Sequence, residues 1–241
     1  MHTYISLFSG AGIGCFGIKK QGFECAATVE LIPKRLNIQK INKKCSFNAG
    51  YICGDLTDSD IQNQFFNAVD FFKAERHITD IDLIVATPPC QGMSVANHNK
   101  KNELGRNSLV LESIKIVTQI KPKYFVFENV SSFMKASCTD QDGITKSIGE
   151  AIEVNLAENF AIESKVINLK NYGSNSSRTR TLVIGVRKDI KEICPLDIFP
   201  DFHEEKKLKD VIGHLPSLNE MGEFSKNDIY HSFRPYKEHM R

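Results

Sequence analysis

The sequence has 241 residues, of which 41% are hydrophobic, and a formal net charge of +2. A chain of this length and composition can bury a full core, which excludes a disordered or low-complexity protein. No apolar run approaches the roughly 20 residues that a membrane-spanning helix needs, and the N-terminus lacks the pattern of an export signal. We therefore expect a cytoplasmic protein with no membrane partner.

Short apolar runs alternate with helical patterns over the first two thirds of the chain. This alternation is typical of a parallel sheet whose strands are joined by crossover helices. We predict an α/β, Rossmann-like fold with a mostly parallel sheet and helices on both faces. The predicted strands cover residues 3–8, 25–30, 51–53, 82–86, 124–127, 162–169 and 181–186.

The predicted helices lie between these strands. The first ends near Lys20 with Gly22 as its cap, the second begins at Pro33, and two more cover residues 109–120 and 145–158. A polar loop is predicted over residues 91–107. Beyond about residue 188 the periodicity fades, so we predict a catalytic domain at 1–190 and a linker at 191–241.

A glycine-rich turn, Ser9-Gly10-Ala11-Gly12-Ile13-Gly14, directly follows the first predicted strand. Glycines let the backbone approach a ligand closely, and the helix that follows offers free N–H groups to an anion. Glu30 ends the next strand, where a carboxylate can accept hydrogen bonds from ribose hydroxyls. Asp55, after the third strand, is equally consistent with binding an adenine amino group or with capping a turn.

Cys90 follows two prolines at the end of a buried strand, which would present its thiol rather than pack it. In open α/β sheets, ligands bind at this edge. A thiol is only a few per cent ionised at neutral pH and needs a nearby positive group. Arg178 and Arg180 would point the same way from a later strand. Taken singly, Cys90 could be a packing residue, the arginines solvated, and Glu128 a turn cap.

Together these segments resemble the cytosine-5 DNA methyltransferase family over about residues 3–187. Four motifs in order carry the resemblance: Phe8-Ser9-Gly10-Ala11-Gly12-Ile13-Gly14, Thr87-Pro88-Pro89-Cys90-Gln91-Gly92-Met93-Ser94, Phe127-Glu128-Asn129-Val130 and Ser177-Arg178-Thr179-Arg180. The resemblance implies an S-adenosylmethionine-dependent methyltransferase fold and methyl transfer to C5 of a flipped cytosine in restriction-modification. S-adenosylhomocysteine would be the product, and no metal is expected.

The resemblance also implies a role for individual residues. Cys90 would attack C6 of the base, Glu128 would bind N3 and N4, and Arg178 and Arg180 would orient the base. The residues implied for the cofactor are Phe8, Ser9, Gly10, Ala11, Gly12, Gly14, Glu30, Leu31, Asp55, Leu56, Pro89 and Leu109. Those expected at double-stranded DNA are Gln91, Ser94, His98, Lys100, Lys101 and Arg106, whose charges suit phosphate contacts. Pro88 and Asn129 would support the loop that carries Cys90.

The sequence departs from the family pattern in places. Asn175 and Ser176 stand where the family has Pro and Gln, and Leu31 and Ile32 follow Glu30 in place of an aromatic residue and an acid. The target-recognition region and the last two family motifs are not found. We therefore expect either part of a longer chain or one subunit of a split enzyme, weakly active on DNA alone, whose partner carries target recognition.

Three other functions remain open from the sequence. One is an inactive or regulatory DNA-binding subunit, which the retention of Cys90 with Glu128 disfavours. Another is methylation of cytosine in tRNA, which binding to tRNA over duplex DNA would favour. The third is a nicotinamide oxidoreductase, since Gly12, Gly14 and Gly17 satisfy GxGxxG, but that function leaves Cys90 without a role. For the methyltransferase we expect a prokaryotic-type, nucleoid-associated location.

Overall fold

One seven-stranded sheet organises the structure, a computed structural model that describes residues 1–89, 103–228 and 230–234, with only the backbone of 103–108. The strands are β1 (His2–Leu7), β2 (Phe23–Glu30), β3 (Tyr51–Cys53), β4 (Leu83–Ala86), β5 (Tyr124–Asn129), β6 (Ser137–Thr139), β7 (Thr145–Ser147), β8 (Phe160–Asn168) and β9 (Thr179–Arg187). The sheet order is β3-β2-β1-β4-β5-β9-β8. The first five strands in this order are parallel, and β9 and β8 add in antiparallel orientation. The predicted α/β fold with a mostly parallel sheet is confirmed.

The helices of the described residues differ in length and in their contribution to the core. They are α1 (Phe16–Lys20), α2 (Pro33–Ile41), α3 (Ser59–Arg76), α4 (Glu103–Ile120), α5 (Ile148–Leu156), α6 (Pro195–Ile198) and α7 (Leu208–Ile212). The larger core joins α3, α4 and α5 to strand residues such as Ile5 and Leu7. Tyr4 points to the opposite face, because strand residues alternate, and packs in a smaller cluster with Cys15 and Cys25.

Helix α3 has no counterpart among the predicted elements. Its buried residues Phe65, Ala68, Val69 and Phe72 follow the three- and four-residue spacing of an amphipathic helix. Asp58 caps its first turn by accepting a hydrogen bond from the backbone N–H of Asp60. Charged and amide residues between the apolar positions obscure this pattern in the sequence.

Two predicted boundaries differ from the observed ones by more than two residues. The helix predicted from residue 145 begins at Ile148, because Ser147 and Glu150 form a capping box at that point. The three residues before it form β7, which pairs with β6 in a hairpin. The other error lies in the loop predicted over 91–107, since α4 already begins at Glu103.

The chain divides into two compact units. The first comprises residues 1–168 and 179–200 and contains the whole seven-stranded sheet. The second comprises residues 169–178 and 201–241. The division predicted at residue 190 stays a prediction. Within the described ranges, no helix has the length and hydrophobicity that crossing a membrane requires.

Asp82 ties the start of β1 to the neighbouring strands. Its carboxylate accepts hydrogen bonds from the backbone N–H and the hydroxyl of Thr3, at 2.8 and 3.0 Å, and from the ammonium of Lys123 at 2.7 Å. Burial alone would raise the pKa of the Asp82 carboxyl. The hydrogen bonds from Lys123 and Thr3 lower it by more, so the pKa lies below its ordinary value. These hydrogen bonds and the ion pair with Lys123 therefore persist at neutral pH and are lost only when acid protonates the Asp82 carboxylate.

Gly185 allows β9 to pack against the core. It pairs with Phe125 across β5 and β9, and a Cβ atom at this position would overlap the Phe125 ring. We expect Gly185→Ala to lower the free energy of unfolding by about 1–3 kcal/mol, as overpacking of a core does. Gly17→Ala is the matched control, because open space surrounds Gly17 within α1, and it should raise stability by about 0.5 kcal/mol. Urea unfolding measures both, and equal effects would contradict the packing argument.

Candidate active site

The carboxyl ends of the five parallel strands meet at one edge of the sheet. Leu7 at the end of β1 pairs with Val29 of β2 and with Ala86 of β4, and Ala86 pairs in turn with Phe127 of β5. Segments far apart in the sequence therefore leave the sheet side by side. Ligand sites of open α/β sheets form at such an edge.

The glycine-rich loop after β1 takes a left-handed backbone at three positions. Phe8, Gly10 and Gly12 have φ angles of 58°, 54° and 85°. Glycine adopts this conformation freely, whereas at Phe8 it costs about 1–2 kcal/mol. The loop is held by Glu30, which is 5% exposed. The Glu30 carboxylate accepts hydrogen bonds from the backbone N–H groups of Gly10 at 2.8 Å and Ile32 at 3.0 Å.

A pocket of about 350 Å³ opens beside Glu30. Its volume lies within the roughly 300–1,000 Å³ range of small-molecule sites. Several residues implied for the cofactor line it: Phe8, Glu30, Leu31, Asp55, Leu56, Pro89 and Leu109. Leu31 is 62% exposed, so it offers an apolar surface to a ligand.

The other residues implied for the cofactor do not line this pocket. The Ser9 hydroxyl lies 2.6 Å from that of Thr28, and the Gly10 carbonyl accepts a hydrogen bond from the side-chain amide of Gln39 at 2.6 Å. Ala11 and Gly12 line a separate cavity. Gly14 lies in the helical turn before α1.

Asp55 makes a turn and also faces the pocket. One carboxylate oxygen, Oδ1, accepts hydrogen bonds from both the backbone N–H and the hydroxyl of Thr57, each at 2.9 Å. The other oxygen has no hydrogen-bond donor among the described residues. Both interpretations of Asp55 are therefore compatible with its geometry.

Glu128 and Arg180 form an ion pair. The Arg180 Nε lies 2.8 Å from Glu128 Oε1, and the two side chains are 15% and 35% exposed respectively. Arg180 also donates a hydrogen bond to the carbonyl of Thr179 at 2.7 Å. The carboxylate therefore lies at the accessible end of β5 with a fixed partner, rather than capping a turn alone.

Asn129 links β5 to the segment that precedes Cys90. Its side-chain amide donates a hydrogen bond to the Pro88 carbonyl at 2.9 Å. Its side-chain oxygen accepts the backbone N–H of Val130 at 2.8 Å, and the Thr181 hydroxyl donates to the Val130 carbonyl at 3.0 Å. Side-chain hydrogen bonds thus join β5 to β9 and to the segment that follows β4.

Several residues predicted for the site cannot be described with it. Outside the described residues are Cys90, Gln91, Ser94, His98, Lys100 and Lys101. Arg106 lies in α4, and its side chain falls outside the description as well. Arg178 belongs to the second compact unit. In the described part of the chain, no group of three or more His, Cys, Asp or Glu residues could hold a metal ion.

Other residues at the site were not identified from the sequence. Ile32, Arg35 and Thr87 line the pocket beside Glu30, and the Arg35 guanidinium lies 3.8 Å from the Glu30 carboxylate. The only sequence signal for Thr87 is its position after a buried strand. Gln39 gives no signal, because a glutamine in a helix is usually exposed, yet here it is 1% exposed.

The sequence matches a family model and several characterised relatives. The model described as C-5 cytosine-specific DNA methylase matches residues 2–240. The type II methyltransferase M1.HphI of Haemophilus parahaemolyticus is 31% identical, over 90% of this chain and 54% of its own length. M1.HgaI of Avibacterium volantium is 30% identical, over 89% and 57%. M.AquIA of a Picosynechococcus strain is 31% identical, over 76% and 71%. The chain spans about half the length of the first two.

Solved structures with the same fold are more distant in sequence. The Entamoeba histolytica methyltransferase EhMeth superposes with a TM-score of 0.60 at 16% identity, covering 91% of this chain and 61% of that protein. The S. pombe Dnmt2 methyltransferase gives 0.57 at 15% identity, covering 82% and 53%. These likenesses show the fold.

Glu30 should control the order of the glycine-rich loop. Both carboxylate oxygens of Glu30 accept a backbone N–H, from Gly10 and from Ile32, whereas the amide in Glu30→Gln has only one acceptor oxygen. A hydrogen bond to a charged group contributes about 1.5–3 kcal/mol. We expect hydrogen exchange at the Gly10 or Ile32 amide to accelerate at least about tenfold, measured by NMR. Asp55→Asn is the control and should alter exchange at Thr57 alone. Unchanged exchange at Gly10 and Ile32 in Glu30→Gln would refute this role.

Proposed function

Because the chain belongs to the C-5 cytosine-specific DNA methylase family, we propose that it forms the catalytic part of a DNA cytosine-5 methyltransferase. In this proposal it moves a methyl group from S-adenosylmethionine to C5 of a cytosine flipped out of double-stranded DNA. The names of its relatives, type II methyltransferases, support this activity and a role in restriction-modification.

The hydrogen bond from Asn129 to the Pro88 carbonyl carries the proposal. Pro88 precedes Cys90 by two residues, and Asn129 follows Glu128 directly. The bond therefore fixes the backbone that leads to the proposed nucleophile against the strand that ends in the proposed acid. A sheet edge used only for packing would not require a buried amide at this junction.

The pocket beside Glu30 fits the proposed cofactor by its chemistry. The buried Glu30 carboxylate retains lone pairs that can accept hydrogen bonds from ribose hydroxyls. Leu31 and Ile32 present exposed apolar surface to the pocket, as the faces of an adenine ring require. Asp55 keeps Oδ2 for the adenine amino group. When bound, S-adenosylmethionine would supply an electrophilic methyl group.

Cys90 and Glu128 would activate the base. The Cys90 thiolate adds to C6, and the π electrons of the C5–C6 bond shift toward C5. Glu128 binds N3 and N4 and so stabilises the electron-rich ring. C5 would then bond to the methyl carbon while the bond between that carbon and the sulfonium sulfur breaks, with S-adenosylhomocysteine as the leaving group. Transfer of the C5 proton to a water molecule would restore the C5–C6 double bond and expel the Cys90 thiolate, which regenerates the enzyme.

The arginines would hold the charged groups in place. Arg180 already pairs with Glu128 at 2.8 Å, which fixes the direction of the carboxylate before a base arrives. This preorganisation avoids moving a charged side chain during the reaction. We assign Arg178 to the same task on the base, following the family motif.

DNA recognition would need more than this chain. Flipping a base costs a few kcal/mol, which contacts to DNA must offset. The residues proposed for those contacts are Gln91, Ser94, His98, Lys100, Lys101 and Arg106. We propose that a second subunit, or a further part of the protein, carries target recognition, and that the enzyme works in the cytoplasm at the nucleoid.

A trapping experiment tests the proposed nucleophile. Fluorine at C5 of cytosine cannot leave as a proton does, so the bond between Cys90 and C6 should persist. We expect a stable adduct between the protein and mixed-sequence duplex DNA that contains 5-fluorocytosine. It should form only with S-adenosylmethionine and with the protein encoded immediately downstream, the proposed source of target recognition, both present. Denaturing electrophoresis and peptide mass spectrometry measure it.

The controls separate Cys90 from the other thiols. Cys90→Ser should form no adduct, whereas Cys194→Ser, which removes an exposed free thiol, should behave as the unmodified chain. An adduct in Cys90→Ser would exclude this nucleophile. A tRNA substrate trapped in preference to DNA would replace the proposed substrate.

The need for a recognition chain is tested by methyl transfer. With tritiated S-adenosylmethionine and duplex DNA, we expect the 241-residue chain alone to be slower by about a hundredfold or more than the chain mixed with the protein encoded immediately downstream. The reason is that uncompensated base flipping adds a few kcal/mol, and about 1.4 kcal/mol is tenfold in rate. Sequence-specific methylation by the chain alone would overturn this expectation.

A further inference from the structure

A second cavity, of about 520 Å³, lies among the glycine-rich loop, α1 and the end of α2. We call it the α1–α2 cavity. Tyr4, Gly12, Phe16, Gln39 and Lys44 are among its lining residues, and it shares none of them with the pocket beside Glu30. It is the larger of the two. Among its lining residues, only Ala11 and Gly12 are also implied for the cofactor.

The α1–α2 cavity is positively charged. Lys19, Lys20 and Lys44 line it, and none of its described lining residues is acidic. Lys44 is only 7% exposed, and its ammonium donates a hydrogen bond to the Thr28 hydroxyl at 3.2 Å. No described carboxylate forms an ion pair with it. A buried ammonium loses its hydration, and one hydroxyl does not replace it.

The walls of the cavity offer both fixed charge and apolar surface. Lys19 donates hydrogen bonds to the carbonyls of Asn42 and Lys43, at 3.0 and 2.7 Å, and so joins α1 to the segment after α2. Ile13 and Phe16 remain 81% and 59% exposed although they are large and apolar. A ligand that joins a negative group to an apolar body would satisfy both features.

We infer that the α1–α2 cavity binds a small organic anion, a carboxylate or phosphate ester on a flat apolar body. Lys44 supplies the buried counter-charge, and Phe16 and Ile13 contact the apolar body. The anion replaces the hydration that Lys44 loses on burial, and a charge-assisted hydrogen bond in such a site is stronger than one in water.

The cavity is connected to the cofactor loop by hydrogen bonds. Thr28, which accepts from Lys44, donates to Gln39 Oε1 at 2.8 Å. Gln39 Nε2 donates to the Gly10 carbonyl at 2.6 Å, and the Gly10 N–H donates to Glu30. An anion that draws the Lys44 ammonium away from Thr28 therefore changes the support of this loop. The effect on the cofactor rests on the proposed function, whereas anion binding does not.

Phenyl phosphate is the probe for the site, titrated into the isotope-labelled chain at low salt without S-adenosylmethionine. We expect saturable one-to-one binding, with NMR shift changes at Gly12, Cys15 and Lys44. Benzyl alcohol, which keeps the ring and lacks the charge, should bind at least about tenfold more weakly. Equal binding of the two compounds, or shift changes confined to other residues, would overturn the inference.

Substitution of Lys44 separates a ligand-binding role from a structural one. Lys44→Met keeps most of the apolar stem, so the melting temperature of the free chain should be unchanged or raised. The variant should bind phenyl phosphate at least about tenfold more weakly, because the charge-assisted hydrogen bond is lost. Lys191→Gln removes an exposed lysine elsewhere and should leave affinity unchanged. A lower melting temperature with unchanged affinity for phenyl phosphate would mean that Lys44 serves only the fold.

The connection is tested by measuring S-adenosylmethionine binding with and without saturating phenyl phosphate. We expect the dissociation constant to change about fivefold, within the usual range of coupling between sites, and Gln39→Ala to abolish the change. An unaltered constant would overturn the connection and leave the anion site standing. Absence of S-adenosylmethionine binding under all conditions would instead count against the proposed function.

Discussion

The parallel pairing of β1 with β2 on one side and β4 on the other determines where this protein can bind ligands. Parallel strands require crossover connections, so every strand of the set ends at the same edge. The glycine-rich loop, Glu30 and the prolines before Cys90 consequently leave the sheet next to one another. Residues separated by up to about 120 positions share one surface because of this pairing.

The two faces of the sheet differ in a way that matters for this edge. One face is packed by apolar residues of α3, α4 and α5, which makes it rigid. Behind the glycine-rich loop, the other face carries a polar network of Thr28, Gln39 and Lys44. Buried polar groups of this kind specify a unique geometry when they are satisfied. On this face the loop is therefore held by a directional hydrogen bond from Gln39 to the Gly10 carbonyl.

The antiparallel pairing of β9 with β5 supplies the ion pair between Arg180 and Glu128. Glu128 pairs with Leu182 in the register of β5 and β9, so Arg180, two residues earlier, is its diagonal neighbour on the same face. This register places the guanidinium against the carboxylate at 2.8 Å. A shift of one residue would turn Arg180 to the opposite face. The ion pair thus depends on strand register as much as on the identity of the two residues.

The sequence by itself predicted the fold class and, through its four motifs, the family, and both are confirmed. Apolar periodicity marked all seven strands of the main sheet, most clearly β4, which lies at the centre of the sheet and is buried on both faces. It missed α3, where polar residues interrupt the pattern, and it extended α5 by the three residues that form β7. These errors follow from local pattern alone, which does not register a capping box or a hairpin.

The candidate site was likewise predicted only in part from the sequence. The types and spacing of Glu30, Glu128 and Asn129 were evident from the sequence, because chemistry requires particular side chains at strand ends. The partners were not, since hydrogen bonds from Asn129 to Pro88 and from Gln39 to Gly10 join residues 41 and 29 positions apart. Only strand order, register and helix packing bring such pairs together. The tertiary structure alone therefore decided which polar side chains are buried and what each of them binds.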